Sequence, residues 1–326
     1  MEYRLLGKTG LKISVIGFGT WGFGGWWGRR DDRSAVSSIE KAIEQGVNFF
    51  DTALVYGDGH SEQLLGKSLR KYRDKVVIAT KIPPKNFRWP ADPKTPIQSA
   101  FPKKWMLECT QKSLKNLGLD FIALQQLHVW TDSWFDPRDW QEGAEELKKQ
   151  GLIQAFGVSV NDHAPETALK LVASGKIDTV QVIYNLFDQS PQKELFPLCQ
   201  KRNIGVIARV PFDEGSLTGT FTLKTKFSTG DWRQKYFKGE RFKETVGRVE
   251  RLKELLEQYG ELLPEAALRF CIADPAVTTV IPGMRKPEHV SSNTRVPERK
   301  LPEELIEKLK SHAWKRNFYI GTPCYS

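Results

Sequence analysis

The sequence predicts an α/β protein, built as a single (β/α)8 TIM barrel that spans residues 1–326. Short apolar or β-branched runs alternate with longer segments of helical periodicity, which is typical of a parallel sheet. Eight such runs occur, and one barrel buries eight strands around a common interior. A length of 326 residues would also allow two smaller domains, but the strand count favours one barrel.

The predicted strands and helices follow one another in regular order. The strands are expected at residues 14–18, 47–50, 76–80, 121–127, 155–158, 179–183, 205–208 and 278–281. Between them, apolar residues recur at i, i+3, i+4 or i+7, which predicts helices. These helices are expected at residues 33–44, 62–70, 104–117, 139–149, 164–173, 192–201 and 245–259.

Four segments lie outside this alternation. Residues 3–5 and 11–13 flank Gly7-Lys8-Thr9-Gly10, which predicts an N-terminal β-hairpin that covers the N-terminal end of the barrel. Residues 302–315 predict an extra C-terminal helix. Two insertions, a proline-rich one at 83–102 and an aromatic one at 211–244, follow the third and seventh strands. Such βα loops lie on the face where barrel enzymes carry their chemistry.

Composition limits the location and the partners of the chain. Its 49 Lys+Arg and 39 Asp+Glu give a net charge of +10, but the basic residues are interleaved with acidic ones, so a solvated surface is expected rather than a nucleic-acid site. No apolar stretch is long enough for a membrane span and the start lacks a signal peptide, so a cytoplasmic protein is expected. Cys109, Cys199, Cys271 and Cys324 are far apart, which predicts reduced thiols and no metal site.

The first predicted strand leads into a glycine-rich segment. Residues 17–22 match the pattern G-x-G-x-x-G of dinucleotide-binding folds. The following residues contain too many glycines to form the helix which that motif requires. We interpret the segment as a first βα loop whose backbone approaches a ligand, with a tryptophan-capped turn as the alternative.

Four polar side chains lie at the ends of the second, third and fourth predicted strands. Asp51 ends the second strand and Tyr56 follows in its loop, Lys81 ends the third strand, and His128 ends the fourth. Because these strand ends ring one mouth of a barrel, we expect the side chains to be neighbours. Taken singly, each has a structural explanation, such as a lysine that reaches solvent or a half-buried histidine.

Taken together, the four groups suit the reduction of a carbonyl. A carbonyl that receives a hydride develops negative charge on its oxygen and needs a proton donor and hydrogen-bond support. Tyr56 can supply the proton, because an adjacent Lys81 ammonium would lower the phenol pKa from its ordinary value of about 10. Asp51 would hold Lys81, and His128 can donate a hydrogen bond that orients the carbonyl.

Around these residues the chain resembles the aldo-keto reductase family. The matching segments are Phe50-Asp51-Thr52-Ala53, Tyr56-Gly57, Ser61-Glu62, Thr80-Lys81, Gln126-Leu127-His128, Gly157-Val158-Ser159, residues 180–185 and 205–208, and Ile281-Pro282-Gly283. They stand in family order and at family spacing over nearly the whole chain. The resemblance implies that Asp51, Tyr56, Lys81 and His128 are the catalytic tetrad, with Tyr56 as the general acid.

The resemblance also implies a nicotinamide cofactor bound across the barrel mouth. Arg285 would clamp a 2′-phosphate, so NADP(H) is expected rather than NAD(H). The cofactor-binding residues that it implies are Gly19, Thr20, Asp51, Ser159, Asn161, Gln181, Arg209, Ser216, Leu217, Thr218, Gly219, Gly283, Arg285, His289 and Asn293.

Two positions depart from the family pattern. The family commonly has Asn directly after the Ser of its G-x-S motif, whereas here Val160 stands between Ser159 and Asn161. Many members have an aromatic residue where this chain has Arg209. The guanidinium of Arg209 could lie flat on the nicotinamide, or it could pair with a phosphate or with Asp213.

The loops predict an aromatic substrate pocket for apolar carbonyl compounds. The pocket residues expected are Trp21, Trp26, Trp27, Trp89 and Trp130, in loops that also contain Phe87 and Trp134. The alternative is that these aromatic residues only pack on the barrel rim.

Three functions are compatible with the sequence. The first is NADPH-dependent reduction of aldehydes or ketones to alcohols by hydride transfer. The second is an NADP(H)-binding regulatory or redox-sensing subunit with little turnover, and the third is a nucleic-acid-binding protein, suggested only by the net charge of +10.

Overall fold

Eight parallel strands form the barrel in the computed structural model, which describes residues 1–25, 28 and 30–319. Two antiparallel strands of a hairpin, β1 (Tyr3–Leu5) and β2 (Lys12–Ser14), precede them. The barrel strands are β3 (Phe18–Gly19), β4 (Phe49–Asp51), β5 (Val77–Ile82), β6 (Ile122–Leu127), β7 (Ile153–Ser159), β8 (Thr179–Ile183), β9 (Gly205–Arg209) and β10 (Val277–Val280). Each strand pairs with the one that follows it along the chain.

The first and last strands close the ring. The Gly17 amide donates to the Val280 carbonyl at 2.8 Å, and the Val280 amide donates to the Val15 carbonyl at 2.9 Å. A further parallel bridge joins Gly19 to Gly283. The predicted (β/α)8 barrel is therefore confirmed.

Helices cover the outside of the barrel. They are α1 (Asp32–Glu44), α2 (His60–Ser68), α3 (Ile97–Ala100), α4 (Lys103–Leu117), α5 (Asp139–Lys149), α6 (Leu169–Ser174), α7 (Leu195–Arg202), α8 (Arg233–Tyr236), α9 (Glu240–Glu257), α10 (Leu263–Ala273), α11 (Pro287–Thr294) and α12 (Glu303–Lys310). The predicted helices, including the extra C-terminal one, correspond to α1, α2, α4, α5, α6, α7, α9 and α12.

The structure differs from the predicted elements at the first strand and in two further helices. The predicted first strand, 14–18, is divided, because Ser14 ends the hairpin and the barrel strand begins at Phe18. Helix α10 was not predicted, since its sequence is apolar on nearly all sides and lacks a polar face. Helix α11 was also not predicted, and it begins at Pro287, whose fixed φ angle suits a first helical position.

The hairpin covers the N-terminal end of the barrel, as expected. Leu6 is fully buried and packs with a cluster of inward-facing strand residues that includes Phe49, Leu124 and Ile207. The Lys8 amide donates to the Asn203 carbonyl at 2.9 Å, which fixes the hairpin to the end of α7. Ligands are therefore expected at the opposite, carboxyl end of the strands.

Both insertions lie at that carboxyl end. Residues 83–102 follow β5 and contain α3, and residues 211–244 follow β9 and contain α8. Their side chains Trp89 and Trp232 line one cavity at the mouth of the barrel. The insertions therefore form walls of a site instead of extending away from the barrel.

Three of the four cysteines lie among the described residues. Cys109, Cys199 and Cys271 are free and buried, and burial raises the pKa of the Cys109 and Cys199 thiols to about 12. Cys324 lies outside the described residues. Among residues 1–25, 28 and 30–319, no cluster of His, Cys, Asp and Glu suits a metal ion, and no helix has the length and apolarity of a bilayer span.

Candidate active site

Four polar side chains lie at the carboxyl ends of neighbouring strands, at the same end of the barrel. Asp51 is the last residue of β4, Lys81 lies next to the end of β5, and His128 directly follows β6. Tyr56 stands in a turn after β4, where its amide donates to the Ala53 carbonyl at 3.0 Å. The chain order 51, 56, 81 and 128 thus becomes one cluster because adjacent parallel strands end together.

A buried ion pair forms the floor of this cluster. Lys81 Nζ lies 2.5 Å from Asp51 Oδ1 and donates to the Thr52 carbonyl at 2.7 Å. Gln181 Nε2 donates to the other carboxylate oxygen of Asp51 at 2.8 Å. Because both charged groups are buried away from water, each needs the opposite charge of the other to offset its desolvation cost.

Tyr56 and His128 lie above the ion pair. Lys81 Nζ is 5.2 Å from the centre of the Tyr56 ring, and the rings of Tyr56 and His128 meet edge to face at 5.7 Å between centroids. The Trp89 ring contacts the other side of His128 at 5.6 Å. The structure therefore brings a phenol, an ammonium, an imidazole and a carboxylate together within one pocket.

Burial controls the protonation of this cluster. Burial lowers the pKa of Lys81, and the adjacent Asp51 carboxylate opposes that change. Burial, together with the positive charges of Lys81 and Arg209, holds the pKa of His128 well below its ordinary value. His128 is therefore a neutral imidazole at neutral pH, able to donate one hydrogen bond without carrying a charge.

Further polar contacts hold the strand ends in place. Ser61 Oγ lies 2.9 Å from Thr52 Oγ1 and donates to Thr20 Oγ1 at 2.8 Å. Thr80 donates to the buried carboxyl group of Glu62 at 2.6 Å, and burial raises the pKa of Glu62. These contacts explain why the Ser61-Glu62 and Thr80-Lys81 segments accompany the cluster, since they tie α2 to β5.

The cluster opens into a large cavity. It encloses about 1130 Å³ of space, including its mouth to solvent. Its lining includes backbone and side chains from the loops after most barrel strands. The lining residues are Gly19, Thr20, Trp21, Gly22, Asp51, Tyr56, Trp89, Pro90, His128, Val129, Ser159, Val160, Asn161, Asp162, Gln181, Arg209, Val210, Pro211, Phe212, Glu214, Gly215, Trp232, Ile281, Gly283, Arg285 and Tyr319.

Most of the expected cofactor residues line this cavity. Gly19, Thr20, Asp51, Ser159, Asn161, Gln181, Arg209, Gly283 and Arg285 do so. Ser216, Leu217, Thr218, Gly219, His289 and Asn293 do not belong to the lining. Ser216 and Leu217 are fully buried behind the wall, and the lining part of that loop is instead Glu214 and Gly215.

Asn161 is occupied by a contact that the sequence did not predict. Its Oδ1 accepts from the Ala91 amide at 2.9 Å, and its Nδ2 lies 3.4 Å from the Ala91 carbonyl. Ala91 belongs to the proline-rich insertion and follows Trp89 and Pro90, which line the cavity. The amide of Asn161 thus fastens the insertion to the loop after β7.

Arg209 pairs with Asp162, a residue that no sequence motif indicated. Its Nη2 lies 2.7 Å from Asp162 Oδ1 and donates to the Val160 carbonyl at 2.9 Å. Asp213 instead pairs with Arg316 at 2.5 Å. Of the alternatives left open for Arg209, a pair with Asp213 is therefore wrong, because the Asp213 carboxylate is buried against Arg316.

The far end of the cavity is cationic. Arg285 is half-buried, and burial followed by the nearby Arg233 charge lowers its pKa. Arg233 is held by Asp231, with Nε and Nη2 at 2.9 and 2.6 Å from the two carboxylate oxygens. The cavity lining thus combines the amide and hydroxyl groups of Gln181 and Thr20 with the guanidinium group of Arg285, a set that suits a ligand with an amide group and a phosphate.

The aromatic residues expected in the substrate pocket divide into three groups. Trp21 and Trp89 line the cavity. Trp26 and Trp27 lie outside the described residues. Trp130 was expected in the pocket, but it is fully buried in the hydrophobic core, where it contacts Trp134 and Trp140, so this prediction is wrong. Its position two residues after His128 did not indicate the direction of its side chain.

Several lining residues were not identified from the sequence. Trp232 and Tyr319 stack at 5.6 Å between ring centroids, and both belong to segments without a matching motif. Glu214 accepts a hydrogen bond from the Tyr319 hydroxyl. The aromatic composition of residues 314–319 was the one available signal, and it did not specify a contact with the barrel mouth.

Comparisons with known proteins agree with this geometry. The model of the aldo/keto reductase family matches residues 15–313. Aldo-keto reductase YhdN of Bacillus subtilis is 31% identical over 302 residues, which cover 91% of this chain and 88% of that protein. The NADH-specific methylglyoxal reductase of Escherichia coli is 28% identical over 299 residues, covering 88% of this chain and 91% of that protein.

A solved structure shows the same architecture. An aldo-keto reductase from Bacillus halodurans, in its holo form, superposes with a TM-score of 0.76 at 28% identity, covering 98% of this chain and 99% of that one. The family resemblance, the barrel and the expectation of an NAD(P)H-dependent oxidoreductase are thereby confirmed. The chain belongs to the aldo/keto reductase family.

Proposed function

We propose that this protein reduces aldehydes or ketones to alcohols with NADPH, and that Tyr56 donates the proton. The observation that supports this most directly is the contact of the Tyr56 ring with both Lys81 Nζ, at 5.2 Å, and the His128 ring, at 5.7 Å. Asp51, Tyr56 and His128 line the cavity at the mouth of the barrel, where a cofactor and a carbonyl substrate would meet.

Each residue has a defined part in this reaction. A carbonyl oxygen next to Tyr56 and His128 receives a hydrogen bond from the neutral imidazole, which orients it without adding a charge. The Lys81 ammonium stabilises the phenolate that remains when Tyr56 transfers its proton. The Asp51 carboxylate holds Lys81, and Gln181 holds that carboxylate through a hydrogen bond.

The cofactor would occupy the long cavity between the tetrad and Arg285. Ser159, Gln181 and Arg285 line this cavity, and in this proposal the first two would bind the carboxamide and Arg285 would bind a phosphate. When bound, the dihydronicotinamide supplies the hydride. The chain's own residues orient the carbonyl, exclude water from the inner end and deliver the proton.

NADPH is proposed over NADH because of Arg285. A guanidinium binds a 2′-phosphate through paired hydrogen bonds, which NADH does not offer. Titration of wild type and Arg285→Met with both cofactors, followed by fluorescence quenching, tests this. We expect wild type to prefer NADPH by at least about tenfold and the variant to lose that preference. Equal affinities of wild type for the two cofactors would contradict the proposal.

Tyr56→Phe tests the assigned acid. We expect unchanged NADPH affinity and a loss of turnover of at least about 100-fold, because the aromatic ring remains and only the hydroxyl group that supplies the proton is removed. Oxidation of NADPH with a panel of small aldehydes, including 4-nitrobenzaldehyde and methylglyoxal, is the measurement. Tyr3→Phe, which removes an exposed hydroxyl at the opposite end of the barrel, is the matched control. Turnover retained by Tyr56→Phe would refute the assignment.

The same panel separates this function from the regulatory alternative. Tight NADPH binding by wild type, with no oxidation of NADPH by any aldehyde or ketone, would favour a subunit with little turnover. The substrate walls Trp21, Trp89 and Trp232 favour apolar and aromatic carbonyl compounds, so the aromatic aldehyde should have the lower KM.

A further inference from the structure

Residues 314–319, here called the C-terminal segment, cross the carboxyl end of the barrel after α12. The Trp314 amide donates to the Phe187 carbonyl at 2.7 Å. Asn317 Nδ2 donates to the Asp162 carbonyl at 2.9 Å. Asp162 follows β7 and Phe187 follows β8, so the segment is fixed to two neighbouring loops of the mouth.

Arg316 is the main anchor of this segment. Its Nη2 lies 2.5 Å from Asp213 Oδ1, and its Nη1 donates to the Tyr236 hydroxyl at 2.8 Å. The guanidinium lies 4.4 Å from the Trp314 ring centre and 4.5 Å from the Phe318 ring centre. The side chains of Arg316 and Asp213 are only 5% and 1% exposed, so loss of either partner leaves a buried charge.

Asp213 belongs to the loop after β9, residues 210–219, here called the β9 loop. Three consecutive residues of this loop have left-handed backbone angles, with φ of 47° at Asp213, 55° at Glu214 and 97° at Gly215. L-residues rarely adopt this conformation, and it persists only where surrounding contacts hold it. Arg316 holds Asp213, and the Tyr319 hydroxyl donates to Glu214.

This left-handed turn forms part of the cavity wall. Glu214, Gly215 and Tyr319 all line the cavity, and Tyr319 also stacks on Trp232. Ser216 also donates to Asp213 from within the loop, and the C-terminal segment adds the two contacts that hold this wall from outside the loop. If either contact is removed, the turn can relax toward ordinary backbone angles and the wall opens more often.

We propose that Arg316 and Tyr319 are positioning residues that fasten the β9 loop against the cavity and thereby set how fast a nicotinamide cofactor leaves. The inference rests on the proposed function, because the cavity must bind that cofactor. Neither residue takes part in proton or hydride transfer. Their effect is on the exchange of the cofactor, through the conformation of Asp213 and Glu214.

Two variants test the proposal. Tyr319→Phe removes one hydroxyl oxygen and keeps the stacked ring, and Arg316→Met removes the charge and keeps the length of the side chain. NADPH-loaded protein is mixed with excess NADP⁺, and the loss of NADPH fluorescence gives the dissociation rate. Hydrogen exchange of residues 210–219 in the cofactor-free protein gives a second readout that does not depend on activity.

We expect both variants to release NADPH at least about tenfold faster than wild type and to exchange the amides of the β9 loop faster. Arg316→Lys keeps a positive charge near Asp213, so it should release NADPH at a rate between those of Arg316→Met and wild type. Arg202→Met, an exposed arginine at the end of α7, is the matched control and should release NADPH at the wild-type rate.

Dissociation rates within about twofold of wild type in both folded variants would overturn the inference and leave the proposed function intact. Wild type that binds neither NADPH nor NADH would overturn both. If Arg316→Met does not fold, Tyr319→Phe decides the question alone, because it leaves the ion pair in place.

Discussion

Lys81 shows how a single residue can serve both the fold and the proposed chemistry. It is fully buried, and its ammonium contacts Asp51, the Thr52 carbonyl and the face of Tyr56. Removal of one partner of a buried ion pair typically costs about 3–5 kcal/mol, whereas removal of both charges costs much less. Stability and turnover can therefore be separated at this site.

A pair of variants makes that separation. Lys81→Met should lower the unfolding free energy by about 3–5 kcal/mol and turnover by at least about 100-fold, because it leaves the Asp51 carboxylate buried without its cation. The double variant Asp51→Asn/Lys81→Met should regain most of the stability but none of the turnover. Denaturant unfolding and NADPH oxidation measure the two effects. Recovery of turnover in the double variant would contradict the assigned role of Lys81.

Glu214 carries a second prediction at the residue scale, on the pH dependence of stability. Burial raises the pKa of Glu214 to about 7. The Glu214 carboxyl group therefore binds its proton more tightly in the folded state than in the unfolded state. Its contribution to the free energy of unfolding is full at low pH and is lost as the pH rises through about 7. At about pH 8 the buried carboxylate costs up to about 3 kcal/mol.

Glu214→Gln removes that ionisation and keeps an oxygen that can accept from Tyr319. We expect the variant to raise the Tm of the cofactor-free protein at about pH 8 and to change it little at about pH 5, where Glu214 is mostly protonated. Calorimetry at the two pH values is the measurement. An equal Tm change at both values would show that ionisation of Glu214 is not the cause.

At the scale of elements, one side chain of another loop fastens the part of the proline-rich insertion that lies beside the cavity. The Asn161 amide bonds both the amide and the carbonyl of Ala91, close to Trp89 and its contact with His128. The family resemblance implies that Asn161 contacts the cofactor. The observed contacts favour a role in shaping the substrate wall.

Asn161→Ala should therefore raise the KM for 4-nitrobenzaldehyde by about five- to tenfold and leave the NADPH Kd within about twofold of wild type. Asn161→Asp, which can still accept from the Ala91 amide, should have a smaller effect on KM. Steady-state kinetics and fluorescence titration give the two constants. A change in the NADPH Kd without a change in KM would instead support the carboxamide contact.

The elements that the sequence predicted correctly share a strong local pattern. Strand 179–183 agrees with β8 at both ends, and helix 139–149 agrees with α5. Helix α10 was missed, because a helix that is buried on most sides has no polar face to reveal its period. Local patterns report amphipathic elements best, and the helices that pack deepest are the hardest to recognise.

At the scale of the whole molecule, the expectation of a single domain over residues 1–326 stays a prediction. A barrel whose first strand bonds to its last, as Gly17 does to Val280, should unfold as one unit. We expect one calorimetric transition with equal calorimetric and van't Hoff enthalpies, shifted upward by NADPH as mass action requires. Two separate transitions, with only one moved by NADPH, would contradict a single domain.

The sequence was sufficient to predict the barrel, the capping hairpin and the grouping of Asp51, Tyr56, Lys81 and His128. The reason is that these features follow from local periodicity and from the rule that adjacent parallel strands end at one face. The direction of Trp130 and the partner of Arg209 do not follow from such rules. Each was settled by a tertiary contact, since Trp130 packs on Trp140 of α5 and Arg209 at the end of β9 pairs with Asp162 in the loop after β7.

The cavity wall formed by Glu214 and Tyr319 is the clearest feature that could not be predicted from the sequence. Glu214 and Tyr319 are 105 positions apart, and no motif or periodicity connects them. They meet because the closed ring brings the C-terminal segment, residues 314–319, to the loop after β9. Long-range packing of this kind depends on how the whole barrel closes, so it becomes visible only once all eight strands are in place.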